Sequence, residues 1–88
     1  MSKFFFSDEG FEDYVYWQTQ DPKTLKKINN LLKSIDRDGT REGIGKPEPL
    51  RYKEGVYSRR IDGKNRLIYR VLEGGVIYIA SCRGHYDD

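Results

Sequence analysis

His85 is the single imidazole of this 88-residue chain, and Tyr86 follows it. Glu48 stands between Pro47 and Pro49, and Arg51, Arg59, Arg60, Arg66 and Arg70 crowd the stretch behind it. A carboxylate, an imidazole and several guanidiniums are the parts of a general acid–base pair beside a phosphate clamp. RNA suits such a set because it carries its own nucleophile, the 2′-hydroxyl. The protein then supplies a base for that hydroxyl, an acid for the leaving 5′-oxygen and positive charge for the phosphorane. Each residue also has a plain reading. A lone histidine is usually solvated, a glutamate between prolines is usually a loop residue, and a basic strand is often only a charged sheet face.

Charge is unevenly spread. Residues 1–40 hold six bases and seven acids (−1), residues 41–70 nine bases and four acids (+5), and residues 71–88 one base and three acids (−2), for a total of +2. The planar fork of arginine fits phosphate, so the middle segment reads either as a phosphate-binding face or as a solvated sheet face.

The elements that must position these groups are legible in outline. Lys3–Phe6 reads as a first or edge strand. Ser7 caps a helix over about Asp8–Thr19, with Asp8 and Glu9 in its first turn and Gly10 weakening it slightly. Asp21-Pro22 opens a second helix, whose stripe of Leu25, Ile28, Leu31, Leu32 and Ile35 ends near Arg37 before Asp38-Gly39. The short break between the two predicts a helical hairpin. After a loop rich in Gly and Pro, four strands are predicted over Leu50–Lys53, Val56–Ile61, Arg66–Leu72 and Val76–Cys82, separated by Glu54-Gly55, Asp62-Gly63 and Gly74-Gly75. The expectation is one α+β domain over residues 1–88, ordered β-α-α-β-β-β-β, with an antiparallel twisted sheet under a helical pair.

Turns fix register, and register decides which residues meet. A turn at residues 73–75 sets Leu72 opposite Val76 and, by counting back, Arg66 opposite Cys82. A turn at residues 62–65 sets Ile61 opposite Arg66 and Arg60 beside Leu67. Arg60, Arg66 and His85 then converge at one end of the sheet, and the loop carrying Glu48 enters the first of the four strands near that rim.

Composition excludes several classes. Twelve aromatic residues argue against disorder, and no apolar stretch reaches the roughly 18 residues of a membrane helix. Met1-Ser2-Lys3 followed by three Phe and then acids does not read as a signal peptide. One Cys forms no internal disulfide, and one Cys with one His does not make a zinc site of the usual type, so no metal or other cofactor is expected. The chain reads as soluble and cytoplasmic. Tyr14, Tyr16 and Trp17 read as core and dimer packing, Cys82 as a small buried residue, and Tyr57 and Tyr69 as either core or groove.

The segments Tyr14-Val15-Tyr16-Trp17-Gln18, Lys26-Lys27-Ile28-Asn29, Gly45-Lys46-Pro47-Glu48-Pro49-Leu50, Ser58-Arg59-Arg60-Ile61, Arg66-Leu67-Ile68-Tyr69 and Cys82-Arg83-Gly84-His85-Tyr86 resemble, in order and spacing, YoeB toxins of the RelE superfamily. The resemblance spans nearly the whole chain. It implies a RelE-like microbial-ribonuclease fold and the toxin of a type II toxin–antitoxin pair, which cleaves mRNA in the ribosomal A site and stops translation. By the same resemblance Glu48 is the general base, His85 the general acid, Arg66 the group that stabilises the phosphorane, and Tyr86 the group that orients the nucleotide. By the resemblance Lys46, Arg51, Arg59 and Arg60 grip phosphate or ribosomal RNA; because adjacent strand residues face opposite ways only one of Arg59 and Arg60 meets substrate, and the register prefers Arg60, leaving the other to bind the antitoxin or pair with an acid. The implied partners are a YefM-like antitoxin, the 70S ribosome with its mRNA, and a second copy of the chain, with no membrane and no cofactor.

Two features depart from the family pattern: Asp87 and Asp88 follow Tyr86, and Gly84 precedes the histidine. Arginines around a carboxylate weaken it as a base while desolvation strengthens it, so Glu48 is either the base or a group that orients the hydroxyl or His85. The competing function is a non-catalytic RNA- or ribosome-binding translation inhibitor, or a decayed toxin that still binds antitoxin.

Overall fold

Two capping residues set the helical layer. In the computed structural model, which describes residues 2–51 and 53–84, Ser7 accepts the Gly10 N–H at 2.9 Å and opens α1 (Asp8–Gln20). Asp21 closes α1 and opens α2 (Pro22–Asp38), its carboxylate accepting the Lys23 N–H at 3.1 Å and the Thr24 hydroxyl at 2.7 Å. Ile28, Leu31 and Ile35 of α2 are buried at helical spacing and form the helix side of the core.

Five strands form one sheet in the order β1 (Lys3–Phe6), β5 (Val76–Ser81), β4 (Arg66–Leu72), β3 (Val56–Arg60), β2 (Glu48–Pro49). Tyr57, Leu67, Tyr69, Ile77 and Ile79 point to the helices and complete the core, so Tyr57 and Tyr69 are core residues rather than groove residues. Cys82 is buried beside them, and burial, with Asp13 second, pushes its thiol up to about 12. The α+β class and element order are as the sequence implies, with one refinement. β1 joins β5 in parallel, Lys3 opposite Val76 through Phe6 opposite Ile79, so the sheet is mixed. The Ser7 N–H continues that ladder to the Ile79 carbonyl at 2.9 Å as the chain turns into α1.

Gly10 belongs to this junction. A Cβ there would sit 2.5 Å from the Ile79 carbonyl oxygen, so the residue that costs α1 some helix propensity is what lets the helix lie close on β5.

The first of the four predicted strands is corrected. Beyond Pro49 the chain turns back, with Leu50 N–H bonded to the Val56 carbonyl at 2.9 Å and Val56 N–H to the Lys53 carbonyl at 3.2 Å. Only Glu48 and Pro49 pair with β3, opposite Ser58 and Tyr57. Pro49 offers no N–H and suits an edge.

Candidate active site

Alternation divides the sheet residues between two faces. Val56, Ser58 and Arg60 point away from the helices, as do their cross-strand partners Arg70, Ile68 and Arg66. Glu48 pairs with Ser58, and Ile68 pairs with Ser81, so Glu48, Ser58, Ile68 and Ser81 form one row across this open face. Arg60 and Arg66 stand directly opposite each other in the next row. Like charges at such a position destabilise a sheet.

This register differs from the expected one at two points. Leu72 does face Val76. A bulge at Ala80 then puts one extra residue into β5, so Ile68 faces Ser81, and Arg66 meets Gly84, whose carbonyl accepts the Arg66 N–H at 2.9 Å, rather than Cys82. In the other hairpin Asp62 folds the turn inward. Its carboxylate accepts the N–H groups of Lys64 and Asn65, each at 2.7 Å, and the Ile61 N–H bonds the Asn65 carbonyl at 3.0 Å. Ile61 therefore belongs to the turn, Arg66 faces Arg60, and Leu67 faces Arg59. Partial burial pushes the Asp62 carboxyl up, but the bonds from Asn65 and Lys64 outweigh it and hold the group below the ordinary value.

Arg66 rests against this turn, with Nη1 donating to the Asp62 carbonyl at 2.7 Å and the Asn65 carbonyl at 3.1 Å. The strand leaving β5 is held from both sides. Asn65 Oδ1 accepts the Gly84 N–H at 2.8 Å, Asp13 accepts the Cys82 N–H at 3.0 Å, and Trp17 Nε1 donates to the Cys82 carbonyl at 2.8 Å. Asp13, Trp17 and Asn65 were not singled out as site residues by sequence, because their contacts join segments far apart in the chain. The positions expected for the acid and the nucleotide-orienting ring, His85 and Tyr86, lie outside the described residues.

Arg60 is exposed, as are Lys46 and, in the turn after β2, Arg51. The expectation that Arg59 grips RNA is corrected, because its side chain is fully buried on the helix face. Nε donates to the Tyr69 hydroxyl at 3.0 Å. Nη1 donates to Ser34 Oγ and the Ile44 carbonyl, both at 3.1 Å, and Nη2 to the carbonyls of Gly39 at 2.8 Å and Glu42 at 2.7 Å. All five donors hold protein oxygens, and three of those belong to the loop between α2 and β2. Tyr69 adds a bond of 2.6 Å to the Thr40 carbonyl, and the Arg60 N–H bonds the Gly45 carbonyl at 2.6 Å. This loop delivers Lys46 and Glu48. At Lys46 the backbone is left-handed, with φ of 51°, directly before a proline. Neither a lysine nor a residue preceding proline favours that region, so the anchored loop holds strain next to Glu48. Strand alternation from Tyr57 already carried the signal that Arg59 faces inward.

Ser34 links this anchor to Asp38. It donates to Asp38 Oδ2 at 2.8 Å while accepting from Arg59 and from the Ile44 N–H. Arg37, then Ser34, holds the Asp38 carboxyl down at about 2. Its unfolded value is about 3.9. The folded value is the lower one, so its stabilisation is complete above the unfolded value and fades as pH falls toward 2. Asp38→Asn is expected to lower the urea midpoint at pH 7, with the difference from the unmodified protein reduced to a small remainder at pH 2. An equal difference at both pH values would assign Asp38 a packing role instead.

The comparisons decide the family. A family model described as YoeB-like toxin of bacterial type II toxin-antitoxin system matches residues 6–86. The chain belongs to the YoeB toxin family. Toxin YoeB of Escherichia coli strain K12 is 46% identical over 85 residues, covering 96% of this chain and 99% of that one. Among solved structures, the YoeB dimer from Staphylococcus aureus superposes with a TM-score of 0.89 at 53% identity, covering 97% of this chain and 98% of that one. A heterotetrameric YoeB–YefM toxin–antitoxin complex from the same organism gives 0.87 at 54% identity, covering 98% and 99%. This YoeB toxin thus carries its exposed Glu48 and its facing arginines on one side of a fold shared with those relatives.

Proposed function

We propose that this YoeB toxin is a ribosome-dependent endoribonuclease that cleaves mRNA in the A site and so inhibits translation. The observation that supports this best is the Arg60–Arg66 pair. Two arginines paired across neighbouring strands on an open sheet face attract an anion, and Glu48 lies in the adjacent row of the same face. In the proposed reaction Glu48 takes the proton of the 2′-hydroxyl as the 2′-oxygen bonds to phosphorus. The bond to the 5′-oxygen breaks as His85 gives that oxygen a proton. The products are a 2′,3′-cyclic phosphate and a 5′-hydroxyl. Arg66 and Arg60 neutralise the phosphorane, Lys46 and Arg51 hold flanking phosphates, and Tyr86 orients the nucleotide. By analogy with the Staphylococcus aureus complexes, the toxin forms a homodimer and is held inactive by a YefM-like antitoxin. It acts in the cytoplasm, where the ribosomes are.

Primer extension on mRNA translated by purified 70S ribosomes tests this. Discrete cuts in the A-site codon are expected, with 5′-hydroxyl ends downstream, and a 2′-deoxy nucleotide at the scissile position should abolish them. Blocked translation without cuts would favour the non-catalytic inhibitor.

A further inference from the structure

Beside the row that carries Glu48 lies a second row on the same open face. Phe5 pairs with Tyr78, Tyr78 with Arg70, and Arg70 with Val56. Phe5 is 56% exposed and Tyr78 37%. Arg70 is exposed, and its side chain has no hydrogen bond or ion pair among the described residues. With Leu72, Tyr78 and Ala80 it lines a depression of about 350 Å³. Two open rings in neighbouring strands, beside an unpaired guanidinium, contribute little to the core, which lies on the other side of the sheet.

Charge points to RNA as the occupant. The strand residues of the open face include four cations, Lys3, Arg60, Arg66 and Arg70, against the single carboxylate of Glu48. A second copy of the chain seated face to face would set these cations against one another. Tyr78 lies one row along and three strands across from Glu48, about 16 Å away at the usual strand spacings, a span of two to three nucleotides of an extended single strand. Aromatic rings beside arginine form the sequence-tolerant platform by which proteins hold single-stranded nucleic acid.

We propose that Tyr78, flanked by Phe5, stacks on the base of a nucleotide two to three positions from the one that is cut, and that Arg70 binds its phosphate. This rests on the ribonuclease reading above and adds a subsite to it. The patch fixes how the strand passes the scissile linkage without reading its sequence.

The test uses a short mRNA on 70S ribosomes, with the A-site nucleotide blocked by 2′-O-methylation and 2-aminopurine placed two or three nucleotides from it. Unmodified toxin is expected to quench the probe at one position. Tyr78→Ala should lose the quenching and bind about 5- to 100-fold more weakly, the range expected for losing one stacked base, while Tyr78→Phe keeps both. Arg70→Gln should reduce the salt slope of binding by about 0.7, one phosphate contact on a single strand. Quenching and affinity unchanged in Tyr78→Ala overturn the platform. So does a Tyr78→Ala protein that falls to monomer, by sedimentation, where the unmodified protein is a dimer, since the patch is then a contact between copies. Cleavage of unblocked mRNA is scored in parallel. Its absence from the unmodified toxin overturns the ribonuclease reading itself, and its presence with unaltered quenching overturns the subsite alone.

Discussion

Glu48→Gln is expected to slow single-turnover cleavage of ribosome-bound mRNA by about 10²–10⁴-fold, the usual contribution of a positioned general base. The side chain is exposed on a two-residue edge strand, so folding does not depend on it. A surface change of this kind moves stability by no more than about 0.5 kcal/mol, or within about 4 °C in melting temperature for a domain this small. Rate and stability therefore separate cleanly in one variant. The pH profile tells base from orienter. If Glu48 is the base, the acid-side limb of the rate disappears in Glu48→Gln. If the limb survives on a lowered plateau, Glu48 orients the hydroxyl or His85 and another group takes the proton. A loss of less than about threefold would remove Glu48 from the chemistry altogether.

Arg59→Ala should behave in the opposite way, as a failure of folding energy before it is a failure of RNA contact. Three loop carbonyls, a serine and a tyrosine hydroxyl lose their donor at once. A part-buried polar group left unpaired costs roughly 1–3 kcal/mol. Water entry and the remaining Tyr69–Thr40 bond reduce the sum, which leaves an expected loss of about 3–5 kcal/mol and a fall in melting temperature of more than about 12 °C. Lysine has the charge but not the fork, so Arg59→Lys recovers only part of it. An RNA-gripping arginine would give the reverse: an unchanged melting curve and a shallower salt dependence of ribosome binding. That result would return Arg59 to the substrate face.

The elements that sequence made legible are those with local causes. Ser7 and Asp21 cap through their own neighbours, the Ile28–Leu31–Ile35 stripe needs only helical spacing, and the Leu72–Val76 pairing follows from the turn at residues 73–75. What was not legible depends on distant partners. Nothing at Lys3–Phe6 says that it runs parallel to β5, because a four-residue aromatic strand reads alike in either direction. Ala80 carries no Gly or Pro to announce a bulge, yet that bulge moves Arg66 from Cys82 to Gly84. Among the proposed site residues, Glu48, Arg60 and Arg66 are marked by type and strand order. Alternation gives the inward face of Arg59, but the loop carbonyls that receive its guanidinium follow a path no pattern fixes.

The pairing of β1 with β5 also bears on how the protein is made. Lys3 meets Val76 across 73 positions of sequence, so the outer edge of the sheet stays incomplete until the last strand has been synthesised. Pairings that distant are slow to close. A chain wired in this order closes its sheet only once β5 has emerged, with both helices and the β3–β4 hairpin already made.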